Sequence, residues 1–314
     1  MRVLVATDGS PAAGVAVDLV AGILWPAGTS IQVVEAIGTG VTPLVGPWTS
    51  ASMIDSQRLE ARLREVAQAT VEEAQARITR GEREVTASVL HGRAATAIID
   101  AAEAMPADLI VMGTRGHGSI ESMLVGSVSG EVIDHAPVPV LLARDTTIAR
   151  VILAWDGSPC ARVAANAVRT WPIFATSSIR VVSVADIDTP WWTGLPVVGA
   201  HDAADLYGDT LDQARRIHET YATEMVDELR AAGLHATAER RVGDAATEII
   251  AAAREADADT IVLGTRGRTG ITRLVLGSVA RNVVHHATCS VLVTRDTTFD
   301  DPSCSPSASW VEMS

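Results

Sequence analysis

The sequence predicts an α/β fold built from two tandem doubly wound domains, each with its own parallel five-stranded sheet. Three observations support this prediction. A long segment of the chain recurs, short apolar runs alternate with segments of helical periodicity, and the core-forming residues are mostly small and aliphatic. The 314 residues are 47% hydrophobic but only 4% aromatic, and this length suits two domains of ordinary size.

The internal repeat is as long as a domain. Val3–Pro11 returns as Val151–Pro159 at an offset of 148 residues, and Leu109–Gly116 returns as Thr260–Gly267 at an offset of 151, so the second copy holds three extra residues. A period of this size indicates a duplicated domain and not a solenoid. We predict three segments: a first domain over 1–147, a second domain over 148–296 and a disordered tail over 297–314.

Strands and helices alternate along the first copy. Strands are predicted near 2–7, 31–36, 84–90, 108–112 and 139–143. Between the second and third strands, apolar residues recur every three to five positions from Leu59 to Ile78, which predicts a helix over about 57–80. The fourth and fifth strands are apolar at consecutive positions, as expected where helices cover both faces of a parallel sheet.

The second copy follows the same order, with strands predicted near 150–155, 179–184, 236–242, 260–263 and 290–294. Two stretches rich in Gly, Pro, Thr and Trp interrupt the alternation after the second strand of each copy, at 38–56 and 186–205. We expect long loops there. Loops of this length serve either as a lid or partner surface or as a plain surface insertion, and the sequence leaves both open.

The composition excludes several classes of protein. All 25 basic residues are arginines, so the chain lacks the lysine of a P-loop, of a protein kinase and of a PLP enzyme. A formal net charge of −13 repels nucleic acid and anionic membrane surfaces. No apolar segment is long enough for membrane insertion, and three cysteines without C-x-x-C spacing suit a reducing compartment, so we expect a cytoplasmic protein.

A spaced glycine motif follows the fourth strand in each copy. It reads Gly-Thr-Arg-Gly, nine residues, then Gly-Ser, over 113–127 and again over 264–278. Glycine permits positive φ in a tight turn and lets backbone amides approach a ligand. The final Gly-Ser pair precedes an amphipathic segment, so it lies at a helix amino terminus, where free N–H groups and the helix dipole favour an anion. The serine of the pair either caps the helix or binds a phosphate oxygen. In the absence of lysine, Arg115 and Arg266 add positive potential.

The first strand of each copy ends in Asp-Gly-Ser-Pro, which supplies Asp8 and Asp156. In open α/β sheets, ligands bind beyond the carboxyl ends of the strands, where the strand order reverses. If the first and fourth strands flank that point, each aspartate faces the glycine loop. A carboxylate repels phosphates but accepts hydrogen bonds from an amino group or from sugar hydroxyls. The arrangement predicts a nucleotide site, and a helix cap is the alternative role for either aspartate.

The spaced glycines and the first-strand aspartate resemble the universal stress protein family in its ATP-binding branch, and the resemblance covers residues 1–296 as two copies. It implies a Rossmann-like strand order of 3-2-1-4-5 in each domain. It also implies pairing of the two fifth strands, which gives a pseudo-twofold chain that forms a homodimer. The implied function is that of a regulatory or sensor protein of the stress or dormancy response, binding about one ATP per domain, with any Mg²⁺ held mainly by the phosphates.

The resemblance assigns nucleotide binding to equivalent residues of the two copies. They are Asp8, Gly113, Gly116, Gly126 and Ser127 in the first copy, and Asp156, Gly264, Gly267, Gly277 and Ser278 in the second. We add the adjoining residues to the candidate site, which are Thr114, Arg115 and Val128 in the first copy and Thr265, Arg266 and Val279 in the second. The second copy departs from the first at one position beside the aspartate. Trp155 stands where the first copy has Thr7, so its ring would either stack on adenine or crowd it.

Two other functions stay open. A slow ATPase or nucleotidyl transferase would use the same pockets, and a nucleotide-independent scaffold would act through the two long loops on an unknown protein partner. The chain contains neither a Gly-x-Ser-x-Gly elbow nor a His-Glu-x-x-His helix. We therefore assign no catalytic residue and no metal ligand, and we expect a binding protein more than an enzyme.

Overall fold

The computed structural model describes residues 1–38, 50–79, 83–116, 125–185, 218–265 and 276–295, and over 50–57 it describes the backbone alone. The predicted tail over 297–314 and the predicted loop over 186–205 lie outside these residues. So do residues 39–49 of the other predicted loop. Within the described part of the chain, the predicted α/β fold with helices on both sides of a mostly parallel sheet is confirmed.

The first repeat has the predicted order of elements. Its strands are β1 (Arg2–Ala6), β2 (Ser30–Ile37), β3 (Glu84–His91), β4 (Leu109–Gly113) and β5 (Val140–Ala143). Its helices are α1 (Pro11–Gly22), α2 (Ser50–Ile78), α3 (Ala94–Ala104) and α4 (Ser127–His135). Every predicted strand is present, and each of its ends lies within one residue of the prediction.

Helix α2 begins at Ser50, earlier than predicted. The prediction of a loop through residue 56 was therefore wrong for its last seven residues. The glycines and prolines of that stretch all precede Ser50, and the 29 residues of α2 contain neither, so nothing in the sequence stops the helix from extending toward the amino terminus.

Among the described residues, no helix combines the length and the apolar character needed to cross a bilayer.

The second repeat follows the first. Its strands are β6 (Arg150–Ala154), β7 (Ser178–Ala185), β8 (His235–Val242), β9 (Thr260–Gly264) and β10 (Ser290–Thr294). Its helices are α5 (Pro159–Thr170), α6 (helical over 218–231), α7 (Ala245–Glu255) and α8 (Ser278–His286), with a 3-10 turn at Pro172–Phe174. The offset between repeats is 148 residues up to β7 and 151 from β8 onward, so the three extra residues fall between these two strands.

Ten strands of the described chain form one continuous sheet in the order β3-β2-β1-β4-β5-β10-β9-β6-β7-β8. Neighbouring strands are parallel except at the centre, where β5 and β10 are antiparallel and Leu141 lies opposite Leu292. These two leucines are equivalent positions of the repeat, so a pseudo-twofold axis passes between them. The expected pairing of the fifth strands thus merges the two predicted sheets into one and covers the edges that β5 and β10 would expose.

Helices cover both faces of this sheet, and an apolar core lies under each layer. Side chains alternate along β1, so that Val3 and Val5 pack with α1 and α2, whereas Leu4 and Ala6 pack with α3 and α4. The second repeat adds α5 and α6 to the first core and α7 and α8 to the second. Each core therefore extends through both repeats, which makes the two halves one hydrophobic unit on either face.

The short connection from β5 to β6 is held by the second repeat. The Ser290 hydroxyl accepts hydrogen bonds from the amides of Arg144 at 3.1 Å and Asp145 at 3.0 Å. The buried Asp259 carboxylate, 3% exposed, then accepts from the Ala149 and Arg150 amides and from the Thr147 hydroxyl at 3.0 to 3.3 Å. The connection is fixed at both of its ends, while the predicted boundary between 147 and 148 stays a prediction.

Two equivalent arginines join each repeat to a helix of the other. The Arg144 guanidinium donates to the Val284 carbonyl at 2.6 Å, near the carboxyl end of α8. Arg295, its counterpart in the repeat, donates to the Ile133 carbonyl near the carboxyl end of α4. The last carbonyls of a helix lack intrahelical partners and carry a partial negative charge, so each arginine stabilises the helix it reaches.

The end of β4 touches the first turn of α1 backbone to backbone. A Cβ atom added at Gly113 would lie 2.5 Å from the Ala12 carbonyl carbon and oxygen. The second repeat has the same contact, where a Cβ at Gly264 would lie 2.5 Å from the Cys160 carbonyl carbon. The first glycine of each motif is therefore required by helix-to-strand packing.

We expect Asp259→Ala to lower the free energy of unfolding by about 3 kcal/mol, because two backbone amides and a hydroxyl lose a buried acceptor at about 1–3 kcal/mol for each unsatisfied group. The equivalent Asp108 offers a matched control: its carboxylate is 42% exposed and takes one amide hydrogen bond, from Arg2 at 2.7 Å. Asp108→Ala is expected to cost less than about 1 kcal/mol. Urea denaturation measures both, and equal losses would contradict the fixed connection.

Gly113→Ala is expected to destabilise the protein by about 3 kcal/mol, because the new methyl group must displace the backbone of α1. Gly130, inside α4, has no atom within 4 Å of the position of its absent Cβ. Gly130→Ala should therefore gain about 0.5–1 kcal/mol from helix propensity. Thermal unfolding compares the two variants, and a Gly113→Ala protein as stable as the wild type would show that the close contact is not required.

Candidate functional site

The candidate site lies at the carboxyl edge of the sheet, between β1 and β4. These two strands are neighbours, with Ala6 opposite Met112 near their carboxyl ends. The chain continues from β1 to β2 on one side and from β4 to β5 on the other, so the strand order reverses between them. Ligands of open α/β sheets bind at such a point. The Asp-Gly-Ser turn and the glycine loop both begin there.

The Asp8 carboxylate is held beside the glycine loop by a tight turn. Its Oδ1 accepts a hydrogen bond from the Ser10 amide at 3.0 Å, and Gly9 adopts a φ of 74°, which favours glycine. The other carboxylate oxygen lies so close to Gly116 that a Cβ there would be 2.3 Å from it. The structure thus brings the first-strand aspartate and the second motif glycine together.

The helix caps belong to serines and not to the aspartates. Ser10 is the N-cap of α1 and accepts from the Ala13 amide at 3.3 Å, and Ser158 caps α5 through the Ala161 amide at 3.2 Å. The alternative role of Asp8 and Asp156 as helix caps was therefore wrong. The Ser10 hydroxyl also donates to the Arg115 carbonyl at 3.2 Å, which ties the turn after β1 to the loop after β4.

Close contacts require glycine at Gly113, Gly116 and Gly264, and positive φ is not the reason for the described motif glycines. Among the described ones, which are Gly113, Gly116, Gly126, Gly264 and Gly277, none has a positive φ. The expectation that they permit such a conformation was wrong, and the left-handed residues are Gly9 and Gly157 in the Asp-Gly-Ser turns. The loop closes through backbone hydrogen bonds, from the Gly126 amide to the Thr114 carbonyl at 2.7 Å and from Gly277 to Thr265 at 2.8 Å.

Helix α4 points an uncapped amino terminus at this loop. Its N-cap is Gly126, which has no side chain to accept from the first turn, and α8 begins in the same way at Gly277. The predicted capping role of Ser127 was therefore wrong, because Ser127 is already the first helical residue and is exposed. Within the described chain, no acceptor lies on the amides of residues 127–129. Such amides and the helix dipole form an anion site.

The Arg115 guanidinium adds positive charge near the start of α4. Arg115 is exposed in the glycine loop, and Arg144 lies near enough for the two charges to repel. Burial is the main cause that lowers the pKa of Arg144 to about 10, and the charge of Arg115 contributes to this lowering. The Arg144 guanidinium stays protonated at neutral pH. Arg115 gives the cleft a positive charge in a chain of net charge −13 without lysine.

An open cleft of about 550 Å³ joins these features, and we call it the amino-terminal cleft. The predicted residues that line it are Asp8, Gly113, Arg115, Gly116, Gly126, Ser127 and Val128. Thr114 is buried behind the wall, where its carbonyl holds Gly126. The volume lies within the range of about 300–1,000 Å³ typical of small-molecule sites.

A second, smaller cleft of about 250 Å³ occupies the equivalent place in the second repeat, and we call it the carboxyl-terminal cleft. The predicted residues that line it are Asp156, Gly264, Thr265, Gly277, Ser278 and Val279. The Asp156 carboxylate accepts from the Ser158 amide at 2.9 Å, as Asp8 does from Ser10. Arg266 and Gly267 lie outside the described residues.

Trp155 is fixed within the core beside the carboxyl-terminal cleft. The ring is 5% exposed, its Nε1 donates to the Tyr221 carbonyl of α6 at 3.0 Å, and the Arg162 guanidinium lies 4.7 Å from the ring centroid. The residue belongs to the core that α5 and α6 cover, together with Leu153. These contacts hold the ring in one position at the cleft wall.

Sequence reasoning missed nine lining residues of the amino-terminal cleft, among them Glu35, Ala36 and Ser129. Glu35 and Ala36 lie near the carboxyl end of β2, and Ser129 lies in the first turn of α4. The signal for Glu35 was a single charge inside an otherwise mostly apolar strand. The signal for Ser129 was a hydroxyl on the face of α4 that otherwise carries apolar residues. In the structure that hydroxyl is buried and donates to the Gly113 carbonyl at 2.9 Å. Across the described residues, no group of three or more His, Cys, Asp or Glu side chains is placed to hold a metal ion.

The comparisons with known proteins agree with this architecture. A universal stress protein of Thermus aquaticus is 46% identical over 85 residues, which are 27% of this chain and 62% of that protein. A universal stress protein of Mycobacterium bovis is 26% identical over 327 aligned residues, 94% of this chain and 95% of that one. The chain thus spans less than two thirds of the Thermus relative.

A solved structure of a universal stress protein from Archaeoglobus fulgidus has the same fold, with a TM-score of 0.58 and 23% identity over 94% of this chain and 98% of that one. The family model described as the universal stress protein family matches residues 1–144 and again residues 147–295. These two matches cover both sheet halves and both clefts. The chain therefore belongs to the universal stress protein family, in a tandem form with two copies of the family domain.

Proposed function

We propose that this protein binds ATP at the carboxyl edge of its sheet, about one nucleotide per domain, and acts as a regulatory or sensor protein in the stress response. The observation that carries the proposal is the open first turn of α4, whose amides have no acceptor among the described residues and face a cleft that also contains Asp8. Membership of the universal stress protein family supports the stress role at the level of the family.

The charges of the cleft set the direction of the nucleotide. The phosphates bind at the amides of Ser127 and Val128, where the helix dipole and the Arg115 guanidinium favour negative charge. The Asp8 carboxylate accepts hydrogen bonds only, so it repels phosphate and faces the sugar hydroxyls or the base amino group. The ligand therefore lies across β1, with its phosphates toward β4 and its nucleoside toward β2.

The glycines of the loop fit a backbone cradle. A Cβ at Gly126 would lie 3.4 Å from the Arg115 Cα, and a Cβ at Gly116 would meet the Asp8 carboxylate. A side chain at Gly116 would displace the Asp8 carboxylate, and one at Gly126 would enter the space that the phosphates need. Mg²⁺ accompanying the nucleotide would be coordinated mainly by the phosphates, since the described cleft offers only scattered carboxylates.

Binding and release suit this site better than rapid turnover. Phosphoryl transfer is accelerated chiefly by positive groups and metal ions aimed at the transferred phosphate, and Arg115 is the one cationic side chain among the described residues that line this cleft. The ATPase or transferase alternative and the scaffold alternative both stay predictions. No feature of the described cleft favours either of them over nucleotide binding.

Other expectations from the sequence also stay predictions. They are a homodimer, an unidentified protein partner and a cytoplasmic location.

Cys160 and Cys289 are free thiols in the interior, and burial raises the pKa of Cys289 to about 11, so that thiol stays neutral at physiological pH. Neutral buried thiols are chemically unreactive and suit a reducing compartment.

The test places a negative charge at the proposed phosphate site. In Ser127→Glu combined with Ser278→Glu, the new carboxylates lie at the first position of α4 and α8. The helix dipole stabilises a negative charge there, but the carboxylates repel phosphate. We expect isothermal titration to show ATP affinity reduced by at least about 100-fold at both sites. The melting temperature should not fall, which separates a lost site from a lost fold.

The matched control removes only the hydroxyls. Ser127→Ala with Ser278→Ala keeps every backbone amide, so ATP affinity should fall by less than about tenfold, the usual effect of one hydrogen bond. ATP binding unchanged in the double glutamate variant would refute the site. An absence of ATP binding by the wild-type protein would refute the proposed function itself.

A further inference from the structure

We propose that the two clefts are not equivalent: the amino-terminal cleft is the tight nucleotide site, and the carboxyl-terminal cleft binds the same nucleotide at least about tenfold more weakly. The inference rests on the proposed function and adds to it an order of occupancy. The repeat makes the comparison direct, because each described lining residue of one cleft has an equivalent position in the other repeat. Arg266, the counterpart of Arg115, lies outside the described residues and takes no part in the comparison.

The first difference is space. The amino-terminal cleft encloses about 550 Å³ and the carboxyl-terminal cleft about 250 Å³. The smaller volume is below the range of about 300 Å³ and upward that small-molecule sites occupy. Part of the cause is the wall made by the second strand, where Ala36 of β2 is replaced by Val184 of β7. The two extra methyl groups of valine occupy the nucleoside end of the second cleft.

The second difference is the loss of polar lining. Thr7 of the first cleft corresponds to Trp155, and Ser129 corresponds to Ala280. The Thr7 hydroxyl accepts from the Gly9 amide at 3.2 Å and so helps to fix the turn that carries Asp8. Trp155 offers no acceptor, and its one donor is already used on Tyr221. Thr265 lines the second cleft whereas its counterpart Thr114 does not line the first, so the net loss at these positions is one polar side chain, and the turn that carries Asp156 lacks the hydrogen bond that Thr7 provides.

The third difference concerns how firmly the phosphate end is held. The Ser129 hydroxyl donates to the Gly113 carbonyl at 2.9 Å, which ties the first turn of α4 to the end of β4. Ala280 has no hydroxyl, so α8 lacks the equivalent bond to the end of β9. A helix terminus held in its binding geometry loses less conformational entropy when an anion binds. The amides of α4 are thus better prepared for phosphate than those of α8.

The fourth difference lies at the nucleoside end. Glu35 lines the first cleft at β2, which is two strands from β4, so it lies about 10 Å from the phosphate end at a strand spacing of about 4.8 Å. At that distance its carboxylate can accept from ribose hydroxyls or the adenine amino group without meeting the phosphates. Its counterpart Ser183 is fully buried and bonded to His218 Nδ1 at 2.8 Å. Ser183 does not line the second cleft.

The experiment isolates each site in the full chain. Ser278→Glu leaves the amino-terminal cleft intact, and Ser127→Glu leaves the carboxyl-terminal cleft intact. We expect isothermal titration with ATP to give the tight constant for Ser278→Glu and a constant at least about tenfold weaker for Ser127→Glu. Melting temperatures measured on the same samples exclude unfolding as the cause.

Exchanging the differing residues tests their role. In the Ser127→Glu protein, Val184→Ala with Ala280→Ser should tighten binding at the carboxyl-terminal cleft by about tenfold, because space and the α8 tether are restored. In the Ser278→Glu protein, the mirror exchange Ala36→Val with Ser129→Ala should weaken binding at the amino-terminal cleft by a similar factor. A gain of binding cannot arise from misfolding, so the first exchange is the decisive one.

Three results would count against the inference. Equal affinities in Ser127→Glu and Ser278→Glu would overturn it while leaving the proposed function in place. An unchanged constant after Val184→Ala with Ala280→Ser would overturn the assignment to these residues. An absence of ATP binding in the wild type and in every variant would overturn the proposed function together with the inference, and the wild-type titration distinguishes this case from the other two.

Discussion

The contact between the first turn of α1 and the end of β4 is the constraint on which the site depends. Gly113 allows the two backbones to meet, since a Cβ there would lie 2.5 Å from Ala12. The contact draws the Asp-Gly-Ser turn against the glycine loop, and the Ser10 hydroxyl then closes onto the Arg115 carbonyl. Gly264 makes the same contact in the second repeat, with Cys160 in place of Ala12. One missing methyl group thus positions an acidic turn and an open helix terminus in each half.

The duplicated fold has kept its framework and changed its clefts. The central pairing of β5 with β10, the two arginines that reach across to α8 and α4, and the two continuous cores all obey the pseudo-twofold symmetry. The cleft walls do not. Valine for alanine, tryptophan for threonine and alanine for serine are substitutions that the sheet tolerates, because they change side chains at its carboxyl edge and leave the backbone register intact.

The sequence predicted those features that depend on local pattern. The strands, the duplication, the placement of Asp8 next to the glycine loop and the position of the Gly-Ser pair at a helix amino terminus follow from periodicity and spacing. The start of α2 was missed because the predicted loop was extended past its Gly- and Pro-rich residues into a segment that contains neither glycine nor proline. The reason for Gly113 was also missed, since a glycine in a loop indicates a close approach without saying which atoms approach. The difference in cleft volume could not be predicted. Ala36 and Val184 are both ordinary apolar strand residues in the sequence, and the larger volume of valine matters only because both positions line a cleft.

The central claim is that unshared main-chain amides at the start of α4 hold a polyphosphate. A crystal structure of the wild-type protein grown with ATP tests it most directly. We expect phosphate oxygens within about 3 Å of the Ser127 and Val128 amides, with the nucleoside extending over β1 toward Glu35. Nucleotide density that places the phosphates away from α4, or a nucleoside at α4 with its phosphates toward β2, would contradict it.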